Sequence, residues 1–552
     1  MKKTLLISLA LLFPTYLFSQ SPAWDWARSG GGSGSDEGLH VATDQSGNIY
    51  VSGLFSSTPI TFGSITMNTV GSNDIFLTKY DASGNVMWAK SIGGNLSENS
   101  TDIVTDFSNN IFWAGYFYSD SITIGTTTIM NPGMFGTFLV KYDSSGNIIW
   151  VRNPVSGEGM FNKITTDNAG NIFATGGYYS STITFGSIIL TNAGGGDLFI
   201  LKYDSAGNVI WGRSEGGINN DVGTGITYNA ANNIFYLTGL FASPSITIGS
   251  GTLTCLGGPD ILIARYDTTG TNIWAKSGGG TYQDLSRSIA SDANGNVYVV
   301  GDFRSDTISF GTYILANADT TLSWDDFFIV CYSSSGTILW AQRAGAPNAA
   351  DYVNKVIVDN NNNVCFTGSF FGPSVTMGAS TLTNTGDCDV YIFSLNNSGN
   401  VAWALSAGGI HSDGGGGMVK DINGNLFLCG YFGSPAITFG STTLTNTGPT
   451  ASADVFLAKL MFPTDINLIE NTDSMLIFFP NPATTEITIN FGKASRYNVQ
   501  LRNTLGEVLE QTQTNSATLS LNMSSYTKGI YFVTVRDESR VFGMVVRKVV
   551  KM

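Results

Sequence analysis

Six acidic residues, Asp36, Glu98, Asp221, Asp284, Asp351 and Asp413, recur eight positions ahead of an Asp or Asn that opens a tight turn, and Glu158 falls one place out of register. A ring of carboxylates attracts hard cations such as Ca²⁺, which takes several oxygen ligands. Ca²⁺ is therefore the candidate cation, with no other cofactor expected and the metal identity left open. One acid per repeat sets the ligands apart, however, and the competing reading is structural: each carboxylate accepts backbone N–H bonds in the turn that joins one repeat to the next. Recurrence in every unit is what a structural role requires. Two suitably placed acids would also suffice for glycosidase chemistry.

Little else in the chain could do chemistry. His40 and His411 are the only histidines, too few for a histidine-rich metal site, and are read as surface loop residues. No H-E-x-x-H, Walker loop or G-x-S-x-G elbow occurs, so no catalytic residue is assigned and no enzymatic activity is expected. Cys255, Cys331, Cys365, Cys388 and Cys429 are an odd, sparse set without framework spacing. The fold must stand on packing.

The elements that carry the acids repeat. Trp26, Trp88, Trp150, Trp211, Trp274, Trp340 and Trp403 are spaced 61 to 66 residues apart, a period that signals repeat architecture. Each unit holds four alternating β-rich segments, in the first LHVAT, NIYVSGLF, DIFLTKY and NVMWAKS. Turns such as DQSGN, DASGN, DSSGN and DSAGN place an Asp that can bond its own backbone ahead of a Gly that tolerates positive φ. The last unit ends at DVFLAKL without a Trp strand, whereas AWDWARSGG at the start is an orphan one. The two ends together supply one unit, as expected of a seven-bladed β-propeller closed by its N-terminal strand. In WAKS, DxxGN, YVSGLF and DIFLTKYDASGNVMW the chain resembles the bacterial β-propeller repeat family. The sialidase Asp-box and the pyrroloquinoline-quinone propeller motif do not fit these hairpins, and the Trp is read as packing between blades.

Composition agrees with an exported β protein. Only 12% of residues are charged, against about 25% in ordinary soluble domains. The net charge of −14 and pI near 4.5 oppose nucleic acid and anionic lipid as partners. Lys2 and Lys3 followed by TLLISLALLF match a signal peptide over 1–20, and no transmembrane anchor is expected. The propeller then spans 21–462, a polar linker 463–473, and a small β-sandwich 474–552, so the fold class is all-β in two domains.

Pro480-Asn481-Pro482, Leu505-Gly506, Gly529-Ile530-Tyr531 and the terminal Lys548-Val549-Val550-Lys551 resemble the C-terminal sorting domain of the type IX secretion system of Bacteroidota. The resemblance implies a translocon and a sortase as partners, cleavage in the linker, and a cargo that is released or attached at the cell surface. The connection between second and third strands carries inserts such as PITFGSITM and TISFGTYIL, and loops on a rigid scaffold are where binding residues concentrate. The functional expectation is thus a monomeric secreted or surface-displayed module for binding, adhesion or scaffolding, with a glycan or protein ligand. Its alternative is a polysaccharide-active hydrolase or lyase using paired carboxylates on the insert-bearing face.

Overall fold

A computed structural model describes residues 21–319, 321, 323–449, 452–462, 477–492, 494–503, 508–537 and 544–551. The expected signal peptide, the linker and Gly506 lie outside the described residues. The chain divides into two compact units, Met1–Phe462 and Pro463–Met552, and the described residues form β-strands and no helix.

In the first unit Asp36–Thr43, Ile49–Phe55, Asp74–Tyr80 and Val86–Ile92 pair antiparallel in chain order. Five further sheets repeat the pattern, with first strands at Glu98–Thr105, Gly159–Thr166, Asp221–Asn229, Asp284–Ser291 and Asp351–Val358. The seventh begins at Asp413–Lys420 and takes Ala23–Gly31 as its outer strand, with Trp24 opposite Leu460 and Arg28 opposite Leu457. Each first strand contacts the first strand of the next sheet, and Asp413–Lys420 contacts Asp36–Thr43, so the contacts form a closed cycle.

The burial pattern explains the stacking. Second and third strands are buried on both sides, as in IYVSGLF and DIFLTKY, because each sheet is covered by a neighbour on either face. Seven apolar clusters result, each straddling two sheets: Tyr50 and Leu77 pack with Trp113 and Phe138, and Val51 and Phe76 close the cycle against Phe427 and Leu457.

The repeated turn is a local device that is also gripped from outside. Asp81 Oδ1 accepts from the amides of Ser83 and Asn85, both at 2.9 Å, while Gly84 takes φ 80°. In the preceding sheet Arg28 donates to Gly84 O at 3.1 Å and stacks 5.0 Å from the Trp26 ring. Trp150 Nε1 donates to Ser205 O at 3.3 Å and Arg152 Nε to Gly207 O at 2.7 Å, and Trp211, Trp274 and Trp340 make the same Nε1 bond to Thr268, Ser334 and Asn397. The Trp of one fourth strand therefore clamps the hairpin of the next sheet.

The second unit has a three-stranded sheet (Ile477–Phe479, Glu486–Asn490, Thr518–Asn522) and a four-stranded one (Val508–Thr514, Tyr497–Arg502, Gly529–Asp537, Met544–Lys551). Ile487, Ile489 and Leu521 from the first pack with Val499, Val533 and Val549 from the second. Val550 N donates to Asn481 Oδ1 at 2.9 Å and Lys551 Nζ to Thr484 O at 2.6 Å, so the Pro480–Pro482 segment clips the last strand. Tyr531 OH donates to Thr527 O at 2.7 Å. A Cβ on Gly529 would meet nothing within 4 Å, so packing does not require glycine there.

Removing Ala23–Gly31 bares one edge of Asp454–Met461 and uncovers its sheet. A chain that starts at Ser33 is expected to lose its cooperative thermal transition and to self-associate in size-exclusion chromatography; unchanged melting would show that closure does not hold the first unit together. Replacing the buried Trp150 by Ala is expected to cost about 3 kcal/mol in urea unfolding.

Candidate functional site

The six predicted acids are fully buried. Asp36 Oδ2 accepts from Ser57 Oγ at 2.6 Å, and its Oδ1 from the amides of Ser56 and Ser57 at 3.2 Å. Asp221 takes Ser243 Oγ at 2.7 Å, Asp284 takes Ser305 at 2.9 Å and Asp413 takes Ser434 at 2.8 Å, while Glu98 bonds Ser119. Asp351 accepts from Ala346 N at 2.8 Å. Five of the acids thereby hold the start of their own insert, and Asp351 holds the connection from the previous sheet. The ring members are held apart in separate sheets, and the described residues contain no group of three or more His, Cys, Asp or Glu suited to a metal. Glu158 accepts from Met134 N at 2.9 Å, and Gly159 takes the place of the acid in that repeat.

A second ring escaped sequence reasoning. Asp74, Asp197, Asp260, Asp326, Asp389 and Asp454 open third strands and are at most 2% exposed. Each accepts from an amide a few residues earlier, as Asp260 does from Leu256 N at 2.8 Å, and each adjoins the first-strand acid of the next sheet. Burial, reinforced by the paired carboxyl at Asp36, Asp260, Asp351 and Asp413, pushes Asp260 and Asp351 up to about 7, and Asp36, Asp284, Asp326 and Asp413 to about 6. Their signal was the Asp beginning DIFLTKY, DLFILKY and DILIARY, which reads equally as a loop residue. The approach is close enough to demand glycine: a Cβ at Gly279 would stand 2.1 Å from Asp260 Oδ1.

One junction breaks the pattern. Between second and third sheets both acids are replaced, by Gly136 and Gly159. A cavity of about 280 Å³ opens there, lined by Met130, Pro132, Phe135, Pro154 and Val155. Phe135 lies 6.2 Å from Tyr116, 6.4 Å from Tyr118 and 5.9 Å from Tyr179 between ring centroids. Tyr118 and Tyr179 begin inserts and are 42% and 36% exposed, so their rings are presented to solvent on the insert-bearing face.

A further cavity, of about 400 Å³, is lined by residues of all seven first strands. His40 lines it, with Nε2 3.2 Å from Ser100 O, so it is a strand residue of the interior and not a surface loop residue. Burial and the charges of Lys163 and Lys355 hold its pKa well below the ordinary value. His411 does lie in a loop, 3.8 Å from Asp387.

The raised carboxyls carry a sign. A folded-state pKa above the unfolded value of 3.8 gives stability that is full below 3.8 and is lost as pH rises through about 6 to 7. His40, whose folded pKa is depressed, works in the opposite direction below its ordinary value of 6.5, but it is one group against six. The melting temperature is expected to climb as pH is lowered from about 8 to about 5, and Asp351→Asn is expected to flatten part of that climb. A melting temperature that falls over the same interval would contradict buried, proton-sharing carboxyls.

Comparison with known proteins gives family information for the second unit alone. The chain is 24% identical over 513 residues to the Uncharacterized WD repeat-containing protein L264 of Acanthamoeba polyphaga mimivirus, covering 75% of this chain and 36% of that one. It is 23% identical over 392 residues to the Regulatory protein FlaEY of Caulobacter vibrioides, covering 65% of this chain and 39% of that one. The chain thus spans little more than a third of the length of these curated relatives. Among solved structures, a protein of unknown function from Dyadobacter fermentans aligns with TM-score 0.39 at 10% identity, over 80% of this chain and 99% of that one. PorZ of Porphyromonas gingivalis, a surface component of the type IX secretion system, aligns with TM-score 0.25 at 13% identity, over 93% of this chain and 81% of that one. Residues 477–552 match the family described as Secretion system C-terminal sorting domain, and this tail directs the chain through type IX secretion to the cell surface or the medium.

Proposed function

We propose that residues 21–462 form a seven-bladed β-propeller, closed by Ala23–Gly31, that acts outside the cell as a monomeric binding or adhesion module for a glycan. The sorting tail brings it into contact with the secretion translocon and its sortase, as expected of a Bacteroidota cargo. The observation that carries the binding reading is the broken junction between second and third sheets. A repeat protein places the same residues at every junction for packing, and here the buried acid pair gives way to a cavity lined by Phe135, on which the partly exposed Tyr118 and Tyr179 pack. Flat aromatic faces on a rigid scaffold suit sugar rings, whose C–H faces pack on them. The alternative, a polysaccharide hydrolase or lyase, has weaker support, because the carboxyl pairs described above are sealed from any substrate oxygen.

The test is a glycan and polysaccharide array probed with residues 21–552. Saturable retention without shorter products is expected. Tyr118→Ala and Tyr179→Ala should each weaken it about tenfold, the worth of one aromatic contact, at unchanged melting temperature. Retention that is indifferent to both substitutions would remove this junction as the site, and release of shorter saccharides would favour the enzyme.

A further inference from the structure

We infer that the central cavity of the first unit is a binding site for a small anion, a mono- to disaccharide-sized polar molecule bearing a carboxylate or sulfate group. This inference is independent of the tyrosine junction.

The site is built by backbone irregularity. All seven first strands skip register at the same place, between Gly38 and His40, Ser100 and Asp102, Phe161 and Lys163, Gly223 and Gly225, Ser286 and Ser288, Val353 and Lys355, and Gly415 and Met418. A β-bulge leaves one residue unpaired and re-aims its side chain, which is why bulges recur beside binding sites. Here every bulged residue lines the cavity, joined by the following residue at His40, Asp102, Lys163 and Lys355. At about 400 Å³ it falls within the range of small-molecule sites.

Its charge is opposite to that of the protein. The chain carries −14 overall, yet the bulge ring presents Lys163, Arg287 and Lys355 against the single carboxylate of Asp102. That carboxylate is engaged already, accepting from Ile164 N at 3.0 Å and standing 4.0 Å from Lys163 Nζ. Lys163 also donates to Thr101 O at 2.8 Å, and Arg287 Nε is bound to Asp302 at 2.6 Å. Lys355 has no carboxylate within 4.0 Å and no hydrogen bond among the described residues. Burial, and then Lys355, hold the Lys163 pKa below its ordinary value although Asp102 opposes them, so the ring's cations repel one another. Two of the three cations thus face a carboxylate and the third, Lys355, faces none; that unmatched charge at the cavity is what an anionic ligand completes, through charge-assisted hydrogen bonds.

The experiment is isothermal titration of residues 21–552 with sodium glucuronate, sodium sulfate and glucose at constant ionic strength, paired with thermal melting. Saturable heat is expected with glucuronate or sulfate and none with glucose, and the arm that binds identifies the anionic group. Lys355→Met should weaken the anion at least about tenfold, and should raise the melting temperature of the ligand-free protein by relieving repulsion. Lys355→Arg should keep binding, which separates a charge effect from misfolding. Glucose binding as well as glucuronate, no saturable heat from either anion, or Lys355→Met binding like the parent would each overturn the inference.

Discussion

Every four-stranded sheet of the first unit is apolar on both faces, and this one constraint governs the rest. A sheet with a single apolar face can end a stack, but one with two cannot, so each must be covered on both sides by its neighbours. Seven inter-sheet clusters satisfy that demand only because the contacts close on themselves, with Val51 and Phe76 meeting Phe427 and Leu457. Closure rests on Ala23–Gly31, whose pairing with Asp454–Met461 joins the two ends of the first unit. The clamp of Trp and Arg on the next hairpin adds polar definition to what would otherwise be greasy faces free to slide.

Once the sheets are stacked, their polar ends must be satisfied without water. Junction carboxyls do this in six of the seven places, joining the end of one insert to the start of the next sheet. Taking carboxyls out of water disfavours the charged form, and pairing two of them in one junction compounds it. The geometry tolerates this because each acid accepts at least one N–H or O–H bond, although one oxygen of Asp260 and of Asp351 is left without a donor, and because protonation is accessible near neutral pH. Such groups fix the path of the chain more than they stabilise it, consistent with the view that buried polar networks specify structure at some expense of stability.

The architecture was legible in the sequence because its signals are local. An Asp followed by Gly and Asn makes the turn wherever it falls, and the Trp two strands on finds its partner by period alone. Asp36 and its equivalents were visible by spacing, and their role follows from serines some 21 residues later, which only the fold brings near. The Asp that opens DIFLTKY could not be assigned, since a residue at a strand start is equally a solvated loop residue until the next sheet covers it. His40 was misplaced for a related reason: alternation says which side of a strand a residue takes, and a bulge at Leu39, the first residue of LHVAT, inverts that rule. In the second unit the motif residues were recognisable, but the clip between Asn481 and Val550 is a tertiary fact.

Comparing the repeats with one another separates demand from freedom. The turn residues, the clamping Trp and the junction acids recur because each repeat faces the same packing problem. The bulge positions meet a looser demand, bonding where they can to a neighbouring first strand, as Asn162 does to Gly223 O and Asn354 to Gly415 O, and there the repeats diverge into Leu39-His40, Thr101-Asp102, Asn162-Lys163, Thr224-Gly225, Arg287-Ser288, Asn354-Lys355 and Gly416-Gly417. Divergence without a structural requirement would be expected to drift toward the chain's own composition, which is acidic and poor in charge. It has instead placed Lys163, Arg287 and Lys355 around a single cavity, where like charges repel. Asp102 and Asp302 answer two of those charges, and the third, Lys355, is the one the inferred anion would answer.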